Sequence, residues 1–364
     1  MAVPRDRIRT AIIGTGGIAR AHAEATQQLA DDVELVAAVD VDPERLSAFR
    51  ETYGIIAGYT DSAEMLAREK PDVVQIATPP ALHIDLSIAA LEAGAWVLSE
   101  KPLTGSLAEM DRLAEAEART GRYCAVLVQW RHGAGGQHVR RLIDSGELGR
   151  PLVAVCNTLW YRDDAYYAVP WRGTWQSELG GVSMGHGIHI MDLLLYLLGE
   201  WSEIRAVTAT LERKIEVEDV SMAMLRFDNG ALASLTNSVL SPRQESYLRL
   251  DFSRLTVELT TLYGYTNDNW RFSLRPSPPP QDVDAFDRWR TIPEPHPTSH
   301  AAALREVLTC FRAGRRPLAS GLEARRTVEF LASLYKSAHT GQPVHRGSIH
   351  QGDPYYHGMT AVPA

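Results

Sequence analysis

Short apolar runs alternate with helical patterns through the first third of the chain. RIRTAIIG, VELVAAVD, DVVQIATP, AWVLSE and YCAVLVQ are separated by segments such as AEMLAREK and AALEAG. Apolar runs of this length bounded by turn residues predict strands buried on both faces, and their alternation with helices predicts βαβ units around a parallel sheet. The period then changes. VSMAMLRF and ALASLTNSV alternate apolar and polar residues around Asp228-Asn229-Gly230, which predicts an antiparallel hairpin. SYLRLDF and RLTVELT extend this to a large, mostly antiparallel sheet. RPSPPPQDVDAF and TIPEPHPTS are expected as surface connections, because proline cannot donate to a sheet ladder. HAAALREVLTCFRAG and LEARRTVEFLASLYKSAH have helical spacing, the first closed by Gly314. The final stretch GSIHQGDPYYHGMTAVPA has no clear period and is expected to be loosely ordered or draped on a neighbouring subunit.

A length of 364 residues exceeds what one hydrophobic core usually organises, so two domains are expected. The hydrophobic fraction of 45% and charged fraction of 23% fit a soluble globular chain, with no run of roughly 20 apolar residues to span a membrane. MAVPRDRIRTAIIGTG lacks the parts of a secretory signal, which makes the cytoplasm the expected compartment. Cys124, Cys156 and Cys310 are widely spaced and odd in number, against both a disulfide framework and a CxxC zinc site. A net charge of −8 without a basic tract offers no footprint for nucleic acid or anionic lipid. A small-molecule partner is expected.

Candidate chemistry begins at GTGGIA, Gly14 to Ala19, which follows a predicted strand and opens a predicted helix. In the GxGxxA pattern the first glycine makes the tight turn, the next lets backbone N–H groups approach a pyrophosphate at the positive helix end, and a small residue permits close packing. Gly14, Gly16, Gly17 and Ile18 are thus cofactor-facing candidates. Asp40 ends the next strand, where a carboxylate accepts the adenosine ribose hydroxyls and repels a 2′-phosphate, so NAD is expected over NADP. The competing reading makes Asp40 only the start of the turn DVDP, and nearby Arg45 tempers the cofactor preference. Lys101, in SEKPLTG, lies at the carboxyl end of the strand AWVL, where ligands of open α/β sheets bind. Desolvation and an oxidised nicotinamide both push a lysine pKa down towards neutrality, which suits proton exchange. The bland alternative is a surface lysine ahead of a helix-starting proline.

These motifs, in the order GTGGIA with Asp40, IATPPALHIDLSIAALEAGAWVLSEKPL, QWRHGAGGQHVRRLIDSGELG and GGVSMGHGIHIMDLLLYLLG, resemble the Gfo/Idh/MocA family, which includes glucose–fructose oxidoreductase and inositol dehydrogenases. The resemblance runs from about residue 7 to 340. It implies an α/β architecture, with an N-terminal Rossmann NAD-binding domain (1–129), a C-terminal α/β domain (130–345) whose large, mostly antiparallel open sheet forms a dimer or tetramer interface, and a tail (346–364). It also implies roles. Lys101 matches the catalytic lysine; Thr78, Pro79 and His83 match a loop along the cofactor; Glu100 lies at the nicotinamide end and Gln129 joins the cofactor set. His189 matches the histidine of a motif written as an acid, three residues, then histidine. Here the acid position is Gly185, so the expected trio is incomplete, and His186 is the candidate replacement polar group.

Within GHGIHIMD, His186 and His189 share a helical face while Asp192 is rotated away, so no metal site is expected and proton transfer by His189 is the preferred reading. Asp192 enters an apolar helix and must be paired there, which suggests a supporting role. The stretch 158–181 concentrates Trp160, Tyr161, Tyr166, Tyr167, Trp171 and Trp175 with Arg162 and Arg172, either as a carbohydrate wall or as aromatic packing. Arg162, Trp171, Arg172 and His186 are the substrate-contact candidates, and YGYTNDNW leaves the same choice open. The sequence reading is an NAD-dependent oxidoreductase acting on a sugar or cyclitol. An NAD-using, redox-neutral glycoside hydrolase and a non-catalytic NAD sensor remain the alternatives.

Overall fold

The computed structural model describes residues 7–361 and divides into two compact units, Met1–Val128 with His300–Val328, and Gln129–Ser299 with Glu329–Ala364. In the first unit β1 (Ile8–Ile13), α1 (Ala19–Gln28), β2 (Val33–Val39), α2 (Pro43–Tyr53), β3 (Ala57–Tyr59), α3 (Ser62–Glu69), β4 (Val73–Ile76), α4 (His83–Glu92), β5 (Trp96–Ser99), α5 (Leu107–Thr120) and β6 (Cys124–Val126) follow in order. The six strands form one parallel sheet in the order β3-β2-β1-β4-β5-β6, the Rossmann arrangement expected from alternating patterns. The reversal of strand order between β1 and β4 places the carboxyl ends of these strands, and the turns that follow them, where a ligand binds. β4 and β5 are buried at every residue, as central parallel strands require.

The second unit opens with α6 (Ala134–Asp144), β7 (Pro151–Tyr161), α7 (Asp164–Tyr167) and α8 (Ile188–Leu198). There follow β8 (Trp201–Ala209), β9 (Val220–Phe227), β10 (Leu232–Ser238), β11 (Leu240–Phe252), β12 (Leu255–Thr261) and β13 (Trp270–Leu274), then α9 (Pro280–Arg290). The chain continues through α10 (His300–Ala313), α11 (Leu322–Thr340), β14 (Val344–His345) and α12 (Pro354–His357). The eight strands run β13-β12-β11-β7-β10-β9-β8-β14, antiparallel except for the β7–β10 pair. The predicted hairpin is present, with Gly230 at φ +89° turning β9 into β10. The face bearing Ala223, Leu225 and Leu235 is buried, while Met222, Met224 and Leu232 on the other face are exposed.

Three sequence expectations are corrected. The segment 280–290 is the helix α9 and not a connection, since Pro280 stands at its first position, where a missing N–H costs nothing, and Trp289 is buried. The tail is packed: Ile349, Tyr355, Tyr356 and Met359 are buried and Lys336 pairs with Asp353, while 362–364 lie outside the described residues. Residues 300–328 belong with the N-terminal unit and not with the 130–345 domain. The apolar face of α10, including Leu304, Val307 and Leu308, joins the core cluster of Ile8, Val73, Trp96 and Leu98.

Candidate functional site

The candidate residues fall into two groups, one in each unit. In the first, Gly14 follows β1 at φ +90°, and a Cβ there would stand 2.8 Å from the carbonyl of Ala77, so only glycine fits. A Cβ on Gly16 or Gly17 would meet nothing within 4 Å, and no side chain caps the start of α1 after Ile18. Backbone N–H groups at an uncapped helix start, beneath a surface without side chains, fit a pyrophosphate. Thr78 Oγ1 is buried without a hydrogen-bond partner, a second opening for a bound group. Asp40 is 7% exposed. Its Oδ2 accepts from Thr15 N and Oγ1, both at 2.8 Å, and its Oδ1 from Asp42 N at 3.0 Å, so it fixes the glycine turn to the end of β2. Asp40 does start the turn DVDP through the bond from Asp42 N, while Asp42 caps α2 by accepting from Glu44 N and Arg45 N. Arg45 pairs with Asp42 at 2.9 Å and stands 3.8 Å from Asp40.

Glu100 and Lys101 follow β5, with a cis peptide between Lys101 and Pro102. Glu100 is 5% exposed and accepts three hydrogen bonds: His22 Nε2 at 3.2 Å and His300 Nε2 at 3.1 Å on Oε1, and Lys101 N at 3.2 Å on Oε2. Burial opposes the carboxylate, yet the two histidines hold its pKa well below the ordinary value. Hydrogen-bond accounting extends this group. Thr10 Oγ1 and Thr26 Oγ1 donate to Val73 O and His22 O, so both accept from Gln75 Nε2. Gln75 Oε1 therefore faces His22 Nδ1, at 3.0 Å, and that nitrogen carries a proton. The opposite nitrogen, Nε2, faces the Glu100 carboxylate, so both edges of the His22 ring are held. His83, 1% exposed, has its two nitrogens at 2.7 Å from Pro102 O and 2.9 Å from Thr78 O, and burial lowers its pKa. It pins the Thr78-Pro79 turn to the turn after Lys101.

Among the described residues, His22, Glu100 and His300 are the grouping whose ligand-capable atoms all lie within 4.8 Å of one another, and the carboxylate hydrogen-bonds directly to both rings. Sequence reasoning missed it. The one available signal was a histidine at core spacing on α1, where Ala19, His22, Ala23 and Thr26 are all buried.

In the second unit Gln129 opens a short 3-10 turn, 129–132, with its Oε1 buried and without a hydrogen-bond partner. Ser183–Gly187 form a single π-helical turn leading into α8, a local departure often found at functional sites. His189 stacks on Trp130 at 6.5 Å. Asp192 has the supporting role expected of it: Arg131 Nε and Nη2 donate to its two oxygens at 2.5 and 2.7 Å, and both side chains are 1% exposed. His186 Nε2 accepts from Arg162 Nε at 3.2 Å, which puts its ring proton on Nδ1. The Arg162 guanidinium lies over Trp160, Tyr166 and Tyr263 at 5.0 to 5.6 Å, and that of Arg172 over Tyr166 and Trp171 at 3.9 and 4.3 Å. These cations are stacked on aromatic faces. Desolvation raises the pKa of both Tyr166 and Tyr167, which favours their neutral phenols. Trp175, by contrast, is half-buried and packs edge-to-face on Tyr335. Glu178, which sequence reasoning also missed, is buried, with Oε2 accepting from Gly173 N at 2.6 Å and Oε1 3.3 Å from Arg172.

The model of an oxidoreductase family with an NAD-binding Rossmann fold matches residues 8–128, and that of the GFO/IDH/MocA C-terminal domain matches residues 136–261. The chain is 28% identical to D-apiose dehydrogenase of Paraburkholderia graminis, over 96% of this chain and 92% of that one. It is 27% identical to scyllo-inositol 2-dehydrogenase (NAD(+)) of Bacillus subtilis, over 93% and 96%. The WlbA dehydrogenase of Bordetella pertussis, solved with NADH and UDP-GlcNAcA, superposes with a TM-score of 0.82 at 30% identity, over 93% of this chain and 98% of that one.

Proposed function

Because the chain belongs to the GFO/IDH/MocA oxidoreductase family, we propose that it is an NAD-dependent dehydrogenase of a sugar or cyclitol hydroxyl, or a ketone reductase in the opposite direction. The observation that carries this reading is the pairing of a nucleotide turn with an anchored lysine segment. Gly14 can be nothing but glycine, and the residue before Lys101 is held by two histidines and by the Lys101 N–H. When bound, oxidised NAD accepts the hydride. Lys101 in the first unit and His189 in the second are the two candidates for positioning the reacting hydroxyl, one of them accepting its proton. The stacked guanidinium groups of Arg162 and Arg172 bind hydroxyl or acidic groups of the substrate, Trp171 offers its face to the C–H side of the ring, and His186 is held in one tautomer beside Arg162.

NADH formation, followed by absorbance with a panel of free sugars, sugar acids, glycosides and cyclitols, tests the reading beside a Lys101→Ala control. Turnover of one substrate class that vanishes in the control is expected. Silence across the panel despite NAD binding would overturn it in favour of a sensor, and glycoside cleavage without net NADH would favour the redox-neutral hydrolase.

The proposal extends to assembly and compartment. Val207, Met222, Met224, Leu232 and Val153 are exposed on one face of the eight-stranded sheet, and such a face supports pairing of two copies. Three buried thiols without a disulfide support a reducing compartment such as the cytoplasm. Among the described residues no helix is long and apolar enough to cross a membrane.

A further inference from the structure

The motif residue that would place a carboxylate one turn before His189 is Gly185, and its surroundings show what stands in that place. Gly185 has no positive φ. A Cβ built on it meets one atom within 4 Å outside its own helix and chain neighbours: Glu178 Oε1, at 3.5 Å. An aspartate or glutamate side chain extends its carboxyl oxygens roughly 2.4 to 3.6 Å beyond its own Cβ. The Glu178 oxygen therefore occupies the region that an acid at 185 would fill. We propose that Glu178 supplies, from the preceding loop, the carboxylate that position 185 lacks, and acts as a positioning residue for His189.

Glu178 is built for a fixed place. It is 4% exposed, its Oε2 is tied to Gly173 N at 2.6 Å, and its Oε1 stands 3.3 Å from Arg172 Nη1. Its own N–H donates to Thr174 O at 3.1 Å. Three residues on, Gly181 N donates to the buried Glu218 at 3.0 Å, so the segment is held on both sides of Glu178. Residues 185 and 189 are four apart and share a helix face. A carboxylate over that face favours the protonated imidazole and selects one of its tautomers, the role an acid plays beside a catalytic histidine. The absent side chain at 185 also makes room for the visiting one. An acid at 185 beside Glu178 would bring two carboxylates into one place, and glycine avoids that repulsion. Other charged or titratable groups on or against these elements include Arg162, Asp164, Arg172, Tyr166, Tyr167, His186, Tyr196, Glu218 and the Arg131–Asp192 pair.

This inference rests on the dehydrogenase reading for its effect on rate, but its direct test does not. The titration of the His189 imidazole is followed by NMR in the full-length wild type, Glu178→Gln, and Glu178→Gln combined with Gly185→Asp, with kcat and KM measured alongside. Glu178→Gln is expected to move the His189 titration to lower pH and to lower kcat on the order of 10²-fold, with KM for NAD unchanged. Gly185→Asp in that background restores both, because it returns a carboxylate to the same place from the helix itself. An unchanged His189 titration in Glu178→Gln overturns the proposal. So does a change that Gly185→Asp does not reverse, because Glu178 then only holds its loop. A wild type silent on every substrate would remove the dehydrogenase reading, while the titration would still decide the role of Glu178.

Discussion

Replacing Glu100 by glutamine tests whether the buried carboxylate holds the lysine segment through charge. The side chain is nearly isosteric, so shape is kept while the ion is lost. Glu100 accepts from His22 and His300 on one oxygen and from Lys101 N on the other. An amide has one acceptor. If its oxygen faces the histidines, its NH2 opposes the Lys101 N–H; if it is reversed, the NH2 opposes two imidazole donors. Hydrogen bonds to charged groups are worth about 1.5–3 kcal/mol, and a buried donor left without a partner costs about 1–3 kcal/mol, so a loss of about 3 kcal/mol is expected. At 2–4 °C per kcal/mol, Tm should fall by roughly 6–12 °C, measured by circular dichroism near pH 6. The pH dependence has a definite sign. The folded pKa of Glu100 lies well below its ordinary 4.5, so its stabilisation is present above that value and is lost as pH falls towards the folded pKa. The gap between wild type and variant should therefore be full at about pH 5 and close on further acidification. An unchanged Tm at pH 6, or a gap that widens in acid, would refute the argument.

Three other expectations follow from the geometry. Gly14→Ala places its Cβ 2.8 Å from the Ala77 carbonyl at φ +90°, and should cost about 1–3 kcal/mol of stability and weaken NAD binding at least about tenfold by calorimetric titration. Gly54→Ala, at φ +68° with nothing within 4 Å, serves as the control that pays for backbone strain alone and leaves NAD affinity intact. Asp192→Asn strands a buried Arg131 and should destabilise by about 3–5 kcal/mol in denaturant unfolding; a change below 1 kcal/mol would show that the ion pair is dispensable. Burial pushes the Cys310 thiol up to about 12, with Glu306 adding to the shift, and burial also raises Cys124 and Cys156. All three should resist iodoacetamide at about pH 8 in the native protein and react once it is unfolded, as counted by mass spectrometry.

The sequence by itself determined what local patterns encode. Alternation of apolar runs with helical spacing predicts a parallel sheet, because both periods arise from neighbours within a few residues. GTGGIA predicts the turn at Gly14, because a left-handed backbone and the pressure of Ala77 admit no side chain. The Asp228-Asn229-Gly230 turn predicts its hairpin for the same kind of reason. Tertiary structure alone decided pairings between distant residues. His22, Glu100 and His300 meet across separations of 78 and 200 positions, and no local period relates them. Residues 300–328 join the first unit because the apolar face of α10 finds its partners among β1, β4 and β5, whereas periodicity marks that face without saying what covers it. Arg131 neutralises Asp192, and Glu178 comes to stand where Gly185 has no side chain. Sequence showed an acid buried in an apolar helix and a glycine where an acid was expected. Electrostatics demanded a partner in the first case and left a vacancy in the second, and only the folded backbone could say which residues would supply them.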